Sequence, residues 1–177
     1  MQLPFDLNPD PDIWAVVIRN ADSAITYGAE FGARWLATPE LELFADLGLL
    51  KTEITDYPGS GVQGNELANA PVFTADFGAI YRHESGLDVS ADARVSDGYF
   101  SSVNNDPRGK TDPYVVVNAQ VGYRLSDDDP DTRIFAFVTN IFDSGEPVLI
   151  EPGATPADDA ALLLHPRAFG IGLEMRF

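Results

Sequence analysis

Cysteine is absent from the 177 residues, which excludes disulfide scaffolds, thiol nucleophiles and zinc–thiolate centres. Cationic side chains are scarce: eleven Lys and Arg stand against 28 Asp and Glu, a net charge of −17. Binding to DNA or RNA rests on neutralising phosphates with cations, so no nucleic-acid partner is expected. Long apolar runs are missing as well. The densest, Trp14-Ala-Val-Val-Ile18, falls far short of the ~18 residues that a membrane-spanning helix needs. No basic stretch leading into an apolar core reads as a signal peptide. A helical membrane protein is thereby excluded, but a membrane barrel is not, because barrel strands alternate and never build such a run.

What the sequence has is alternation. Successive side chains of a strand point to opposite faces. From Phe169 the odd positions are Phe169, Ile171, Leu173, Met175 and Phe177, with Gly170, Gly172, Glu174 and Arg176 between them. In 86–96, Leu87, Val89, Ala91, Ala93 and Val95 oppose Asp88, Ser90, Asp92, Arg94 and Ser96. In 72–82, Phe73, Ala75, Phe77, Ala79 and Tyr81 oppose Thr74, Asp76, Gly78 and Arg82. Val115, Val117, Ala119, Val121 and Tyr123 oppose Asn118, Gln120, Gly122 and Arg124. Around 132–142 both faces are fairly apolar, with Phe135, Phe137 and Ile141 on one side and Asn140 on the other. Between Ser23 and Leu36, the series from Ile25 to Trp35 faces away from Thr26, Gly28, Glu30, Gly32 and Arg34. After Glu40, Leu41, Leu43, Ala45, Leu47 and Leu49 oppose Glu42, Phe44, Asp46 and Gly48. Residues 13–18 are read as an upward extension of the first strand, with an irregularity near 20–22. The result is seven strands, many longer than the ~5–6 residues usual in soluble sheets and near the ~9–11 that a tilted membrane crossing requires.

The connections alternate too. Residues 37–39, 83–86 and 126–131 are short and polar, as hairpin turns are. Residues 56–70, 101–112 and 144–165 are long and rich in Gly, Pro, Asn and Asp. Strict short–long alternation is a bacterial barrel's habit, with short periplasmic turns and long outer loops. Trp35, Tyr81, Tyr99, Tyr114, Tyr123 and Phe177 fall near strand ends, where an aromatic girdle sits.

No catalytic constellation emerges, and neither a cofactor nor a metal site is expected. His83 lies at a turn and His165 in a long loop, each too isolated for a triad or metal centre. Asp127-Asp-Asp-Pro-Asp131 lacks the Gly and terminal Glu of an EF-hand loop and reads as a solvated acidic turn. Gly59-Ser-Gly61 with Gly64 has no following Lys-Ser/Thr and opens no helix, so it is not a phosphate loop. The run 158–164 reads as a short helical turn or as irregular chain. Asp88 and Asp92 share a strand face, but a glycosidase needs two carboxyls across a cleft with one pKa raised.

Several segments resemble the last third of a TonB-dependent receptor barrel: Ile25-Thr-Tyr-Gly-Ala-Glu30, Leu41 to Leu50 with Thr52-Glu-Ile54, and Asn69-Ala-Pro71. So do Tyr114 to Ala119 with Gly122-Tyr123, Thr139-Asn-Ile-Phe-Asp143, and Pro166 to Gly170 with the closing Arg176-Phe177. Their order and spacing are similar to that family over nearly the whole chain. The resemblance implies the C-terminal part of a 22-stranded up-and-down antiparallel transmembrane β-barrel, some seven to eight strands of it, in the bacterial outer membrane. It implies import of a scarce nutrient such as a ferric siderophore, with TonB acting through a plug that has no counterpart here. Outer-membrane lipid and the barrel-assembly machinery are the other implied partners, and Phe169, Ile171, Leu173, Met175 and Phe177 look like the assembly signal. Residues 1–12 resemble an internal loop of the family, so the chain reads as a fragment.

With the last strand ending in the periplasm, as in the family, Glu30, Arg34, Asp76, Asp92, Arg94, Asn118, Gln120 and Arg124 face the lumen as candidate ligand contacts, or as solvated or plug-facing lining. Two other readings remain: a free-standing small barrel serving as adhesin or structural protein, and a soluble β-sandwich or lectin-like module. A severed sheet would leave unpaired backbone edges in hydrocarbon, so edge-to-edge dimerisation, forced closure or aggregation is expected of the isolated chain.

Overall fold

A computed structural model describes residues 2–6, 16–20, 23–125 and 132–175. Its strands, in chain order, are β1 (Gln2–Asp6), β2 (Val16–Asn20), β3 (Ser23–Leu36), β4 (Leu41–Asp56), β5 (Phe73–Arg82), β6 (Leu87–Ser96), β7 (Tyr114–Arg124), β8 (Thr132–Thr139), β9 (Pro147–Glu151), β10 (Ala160–Leu163) and β11 (Ala168–Met175). Helix among the described residues is confined to 3-10 turns at Pro107–Gly109 and Pro156–Asp158. Seven strands form one open antiparallel sheet in the order β3-β4-β5-β6-β7-β8-β11. Two separate ribbons, β1–β2 and β9–β10, stand apart from it.

Alternation in the sequence becomes two distinct faces through register. Cross-strand partners share a face, and Ala33, Ala45, Phe77, Ala93 and Val117 lie in one row across five strands. A second row runs Tyr81, Val89, Val121, Ala136 and Ile171. The opposite face carries the row Gly32, Asp46, Asp76, Arg94 and Val116. A slip of one residue in any pairing would reverse that strand's faces. The apolar face has no protein cover: Trp35 is 65% exposed, Phe169 81% and Ile171 79%. An apolar surface of this breadth does not stay open to water.

The short connections, 37–40 and 83–86, lie at one end of the sheet, and the loops 57–72, 97–113 and 140–167 at the other. Burial concentrates at the long-loop end. Ile54, at the tip of β4 on the polar-face register, is fully buried with Tyr57 beneath Val62, Leu67 and Val103. The first and second long loops therefore fold over the polar side of the sheet.

Several sequence expectations are corrected. Val16–Asn20 pairs with Gln2–Asp6 instead of prolonging the first strand, so part of the supposed opening loop is itself a strand. The run 158–164, read as a helical turn or irregular chain, instead supplies β10 of the β9–β10 hairpin in the third long loop, after a 3-10 turn at Pro156–Asp158. Of the expected girdle aromatics, Trp35, Tyr81 and Tyr123 do lie on the apolar face near the short turns. Tyr99 and Tyr114 do not: Tyr99 donates its hydroxyl to the Val148 carbonyl (2.8 Å) within the loops, and Tyr114 pairs with Ser96 on the polar face. The strand over 132–142 ends at Thr139, because Asn140 takes a left-handed conformation, φ 50°. The turn at 126–131, with its acidic run, and the terminal Phe177 lie outside the described residues.

Candidate functional site

The registers place Glu30, Arg34, Asp76, Asp92, Arg94, Asn118, Gln120 and Arg124 on the single face opposite the apolar one. They do not form one cluster. Arg34 lies 3.6 Å from Glu42 and its guanidinium stacks over the Phe44 ring at 5.5 Å. Glu30 lines a separate groove of about 550 Å³ with Thr26, Thr74 and Pro71. Gln120 pairs with Phe137 and Arg124 with Arg133, towards the short-turn end. The polar face there is partly aromatic. Phe137 and Phe135 lie over Gly170 and Gly172, and a Cβ at Gly170 would stand 2.9 Å from the Phe137 ring.

Four of the eight meet near the long-loop end. Arg94 Nε donates to both carboxylate oxygens of Asp76, at 3.0 and 3.3 Å. Asn118 Nδ2 donates to Asp92 Oδ2 at 2.7 Å. Arg94 and Asn118 then line a cleft of about 720 Å³ together with Tyr114, Thr139, Asn140 and His165. The cleft is open on one side and has a floor of β6, β7 and β8.

Asn140 builds the upper wall. Its backbone N–H donates to Asn118 Oδ1 (3.1 Å), and its side-chain amide donates to the carbonyls of Ser144 and His165, both at 2.9 Å. Ser144 N–H returns a bond to Asn140 Oδ1 at 3.0 Å. The amide thus ties both ends of the third long loop to the end of β8. Arg167 N–H adds a bond to Asp143 Oδ1 at 2.8 Å. The positive φ of Asn140 is one that Asn tolerates better than other side chains. Asn140 is 3% exposed, so its polar atoms need these partners. The loop comes back onto the strand and carries the His165 side chain with it.

Neither Asn140 nor His165 was reached as a site residue from the sequence. His165 looked isolated because the other polar residues of the cleft, from Arg94 to Asn140, lie 25 or more positions away along the chain. Asp88 and Asp92, noted as a carboxylate pair, have different partners: Arg133 holds Asp88 and Asn118 holds Asp92. Among the described residues, no three His, Asp or Glu side chains converge on a point that would hold a metal.

The three loops are also tied to one another. Asn105 Oδ1 accepts from Glu66 N–H (2.8 Å) while its Nδ2 donates to the Glu66 carbonyl (3.1 Å). Asn65 Nδ2 donates to the Val103 carbonyl at 2.9 Å. On the other side, Ile150 N–H donates to Ser101 Oγ at 2.8 Å, and Arg108 Nη1 lies 3.1 Å from Asp159. Burial raises the Tyr99 phenol above its ordinary value, and Tyr114 nearby adds to the shift.

A two-faced sheet of long strands, with its short turns at one end and interlocked loops at the other, is the wall of an outer-membrane type of β-barrel. A family model described as "TonB dependent receptor-like, beta-barrel" matches residues 4–141, and the chain belongs to that family. TonB-dependent receptor barrels are outer-membrane proteins. Among solved structures, the ferric yersiniabactin uptake receptor FyuA of Yersinia pestis is 18% identical, covers 91% of this chain and superposes with a TM-score of 0.77. The siderophore receptor PiuA of Acinetobacter baumannii is 19% identical over 98% of the chain, TM-score 0.74. The copper transporter OprC is 18% identical over the whole chain, TM-score 0.73. The chain spans about a quarter of the length of each: 25%, 24% and 26%. At these identities the likeness is one of fold. These neighbours are named as receptors and transporters, none as an enzyme.

Proposed function

We propose that this chain is the C-terminal wall of an outer-membrane receptor that imports a scarce nutrient, such as a ferric siderophore, with energy passed from TonB through a plug carried elsewhere in the receptor. The remaining strands of the same barrel close the free edges of β3 and β11, where unpaired backbone groups facing hydrocarbon would otherwise cost several kcal/mol each. The apolar face meets outer-membrane lipid. The residues from Phe169 to Phe177 serve as the signal for barrel assembly.

The observation that carries this reading is the polar cleft at the long-loop end of the inner face. Wall and loop together build a concave site with convergent polar groups, the form that small-molecule sites take. Arg94, Asn118, Asp76 and Asp92 form or brace the floor, and Glu30, Arg34, Gln120 and Arg124 line the path below or beside it. Deleting the gene for the whole receptor should abolish uptake of one radiolabelled ferric chelate under iron limitation, and deleting tonB should do the same. Unchanged uptake of every chelate tried, and unchanged growth under iron, copper and cobalamin limitation, would remove the proposal.

A further inference from the structure

Resting on the receptor reading, we infer that the complex recognised at the β6–β7–β8 cleft is an uncharged or cationic metal chelate, not an anionic one. Arg94 is the one guanidinium or ammonium among the cleft-lining residues, and it is already held at two points by Asp76. The other polar side chains lining the cleft are the Tyr114 and Thr139 hydroxyls, the Asn118 and Asn140 amides and the His165 imidazole. Asp92, behind Asn118, is bonded to an amide and not to a cation.

The loops above repeat this balance. Residues 57–72, 97–113 and 140–167 carry nine carboxylates and three Lys or Arg. Each of the three cations is engaged. Arg108 pairs with Asp106 and Asp159, Lys110 sits 5.2 Å over the Phe100 ring, and Arg167 donates to the Ile141 carbonyl at 3.3 Å. Among the described residues, Asp97, Asp112, Glu146 and Glu151 have no ion-pair partner. Among the described residues of the cleft and these loops, an approaching anion meets no uncommitted cation, whereas a cation meets several uncompensated carboxylates. Such a field acts over roughly 8 Å at physiological salt and changes association rates by about tenfold or more.

The test uses the whole receptor, purified in detergent, with three probes: ferrioxamine B (monocationic), ferrichrome (uncharged) and ferric enterobactin (trianionic). Binding of the cationic or uncharged chelate is expected to exceed that of the trianion by about tenfold or more at low ionic strength. Added salt should narrow the gap. Asp76→Asn, which frees Arg94, should narrow it by raising affinity for the trianion. Tightest binding of the trianion, weakening with salt, would overturn the inference and leave the receptor reading in place. Failure of all three to bind, together with unimpaired uptake in a strain lacking the receptor, would remove both.

Discussion

Arg133 reaches across Gly122 to hold Asp88 two strands away, with Nε 2.8 Å from Oδ1 and Nη2 2.5 Å from Oδ2. The link joins β8 to β6 over the intervening β7. Gly122 makes it possible, since a Cβ there would come within 2.6 Å of the Arg133 Cζ.

That geometry predicts coupling between the two positions. Both side chains are about one-fifth exposed, so the two-point contact is partly screened and contributes about 1–2 kcal/mol. Gly122→Val and Asp88→Asn should each lower the urea midpoint of the vesicle-inserted receptor, and the double variant should fall little further. Full additivity would show that Gly122 matters for some reason other than the passage of Arg133.

Asn105 holds the first two long loops together with two bonds to Glu66 and sits at φ 50°. Asn105→Gly keeps that backbone conformation accessible while removing the clamp. Limited proteolysis should then cut within 57–72 about fivefold faster or more. An unchanged cleavage rate would mean that Ile54, Tyr57 and Val103 hold the loops without it.

The Tyr99 phenol predicts an alkaline weakness. Burial favours its neutral form in the fold, so its folded pKa lies above the ordinary tyrosine value of 10.0. Its contribution is intact below pH 10 and is lost as pH rises through the folded pKa, because only the unfolded loops ionise freely in between. Difference absorbance of phenolate, wild type against Tyr99→Phe, should show one tyrosine titrating late. Loosening of the loops should accompany it, as the hydroxyl bond to Val148 goes with the proton. Titration of that tyrosine at or below pH 10 would contradict the burial.

How much of this was legible in the sequence depends on the range of the cause. The alternation from Ile25 to Trp35, or from Leu87 to Val95, could be read directly, because a strand with one apolar and one polar face has a period of two. Loop sorting followed from the same pattern. The contact between Arg133 and Asp88 could not be read, since it needs the registers of three strands at once. The β9–β10 hairpin was hidden in a run rich in Pro, Gly and Asp, where composition suggests irregular chain. Of the cleft, Arg94 and Asn118 were placed on the right face by alternation. Asn140 and His165 needed a left-handed residue at the end of β8 and a 28-residue excursion, 140–167, returning to it, and nothing local announces either.

The most direct measurement is a single-cysteine scan along β6 of the receptor in native outer membranes, clean in this segment because it has no cysteine of its own. Cysteines at Ser90, Asp92 and Arg94 should react with a hydrophilic maleimide. Probes at Val89, Ala91, Ala93 and Val95 should instead be quenched by brominated lipid. A period of two between aqueous and lipid contact would establish the sheet as a membrane wall with its polar face to the lumen. Uniform reactivity, or lipid contact at Asp92 and Arg94, would contradict it.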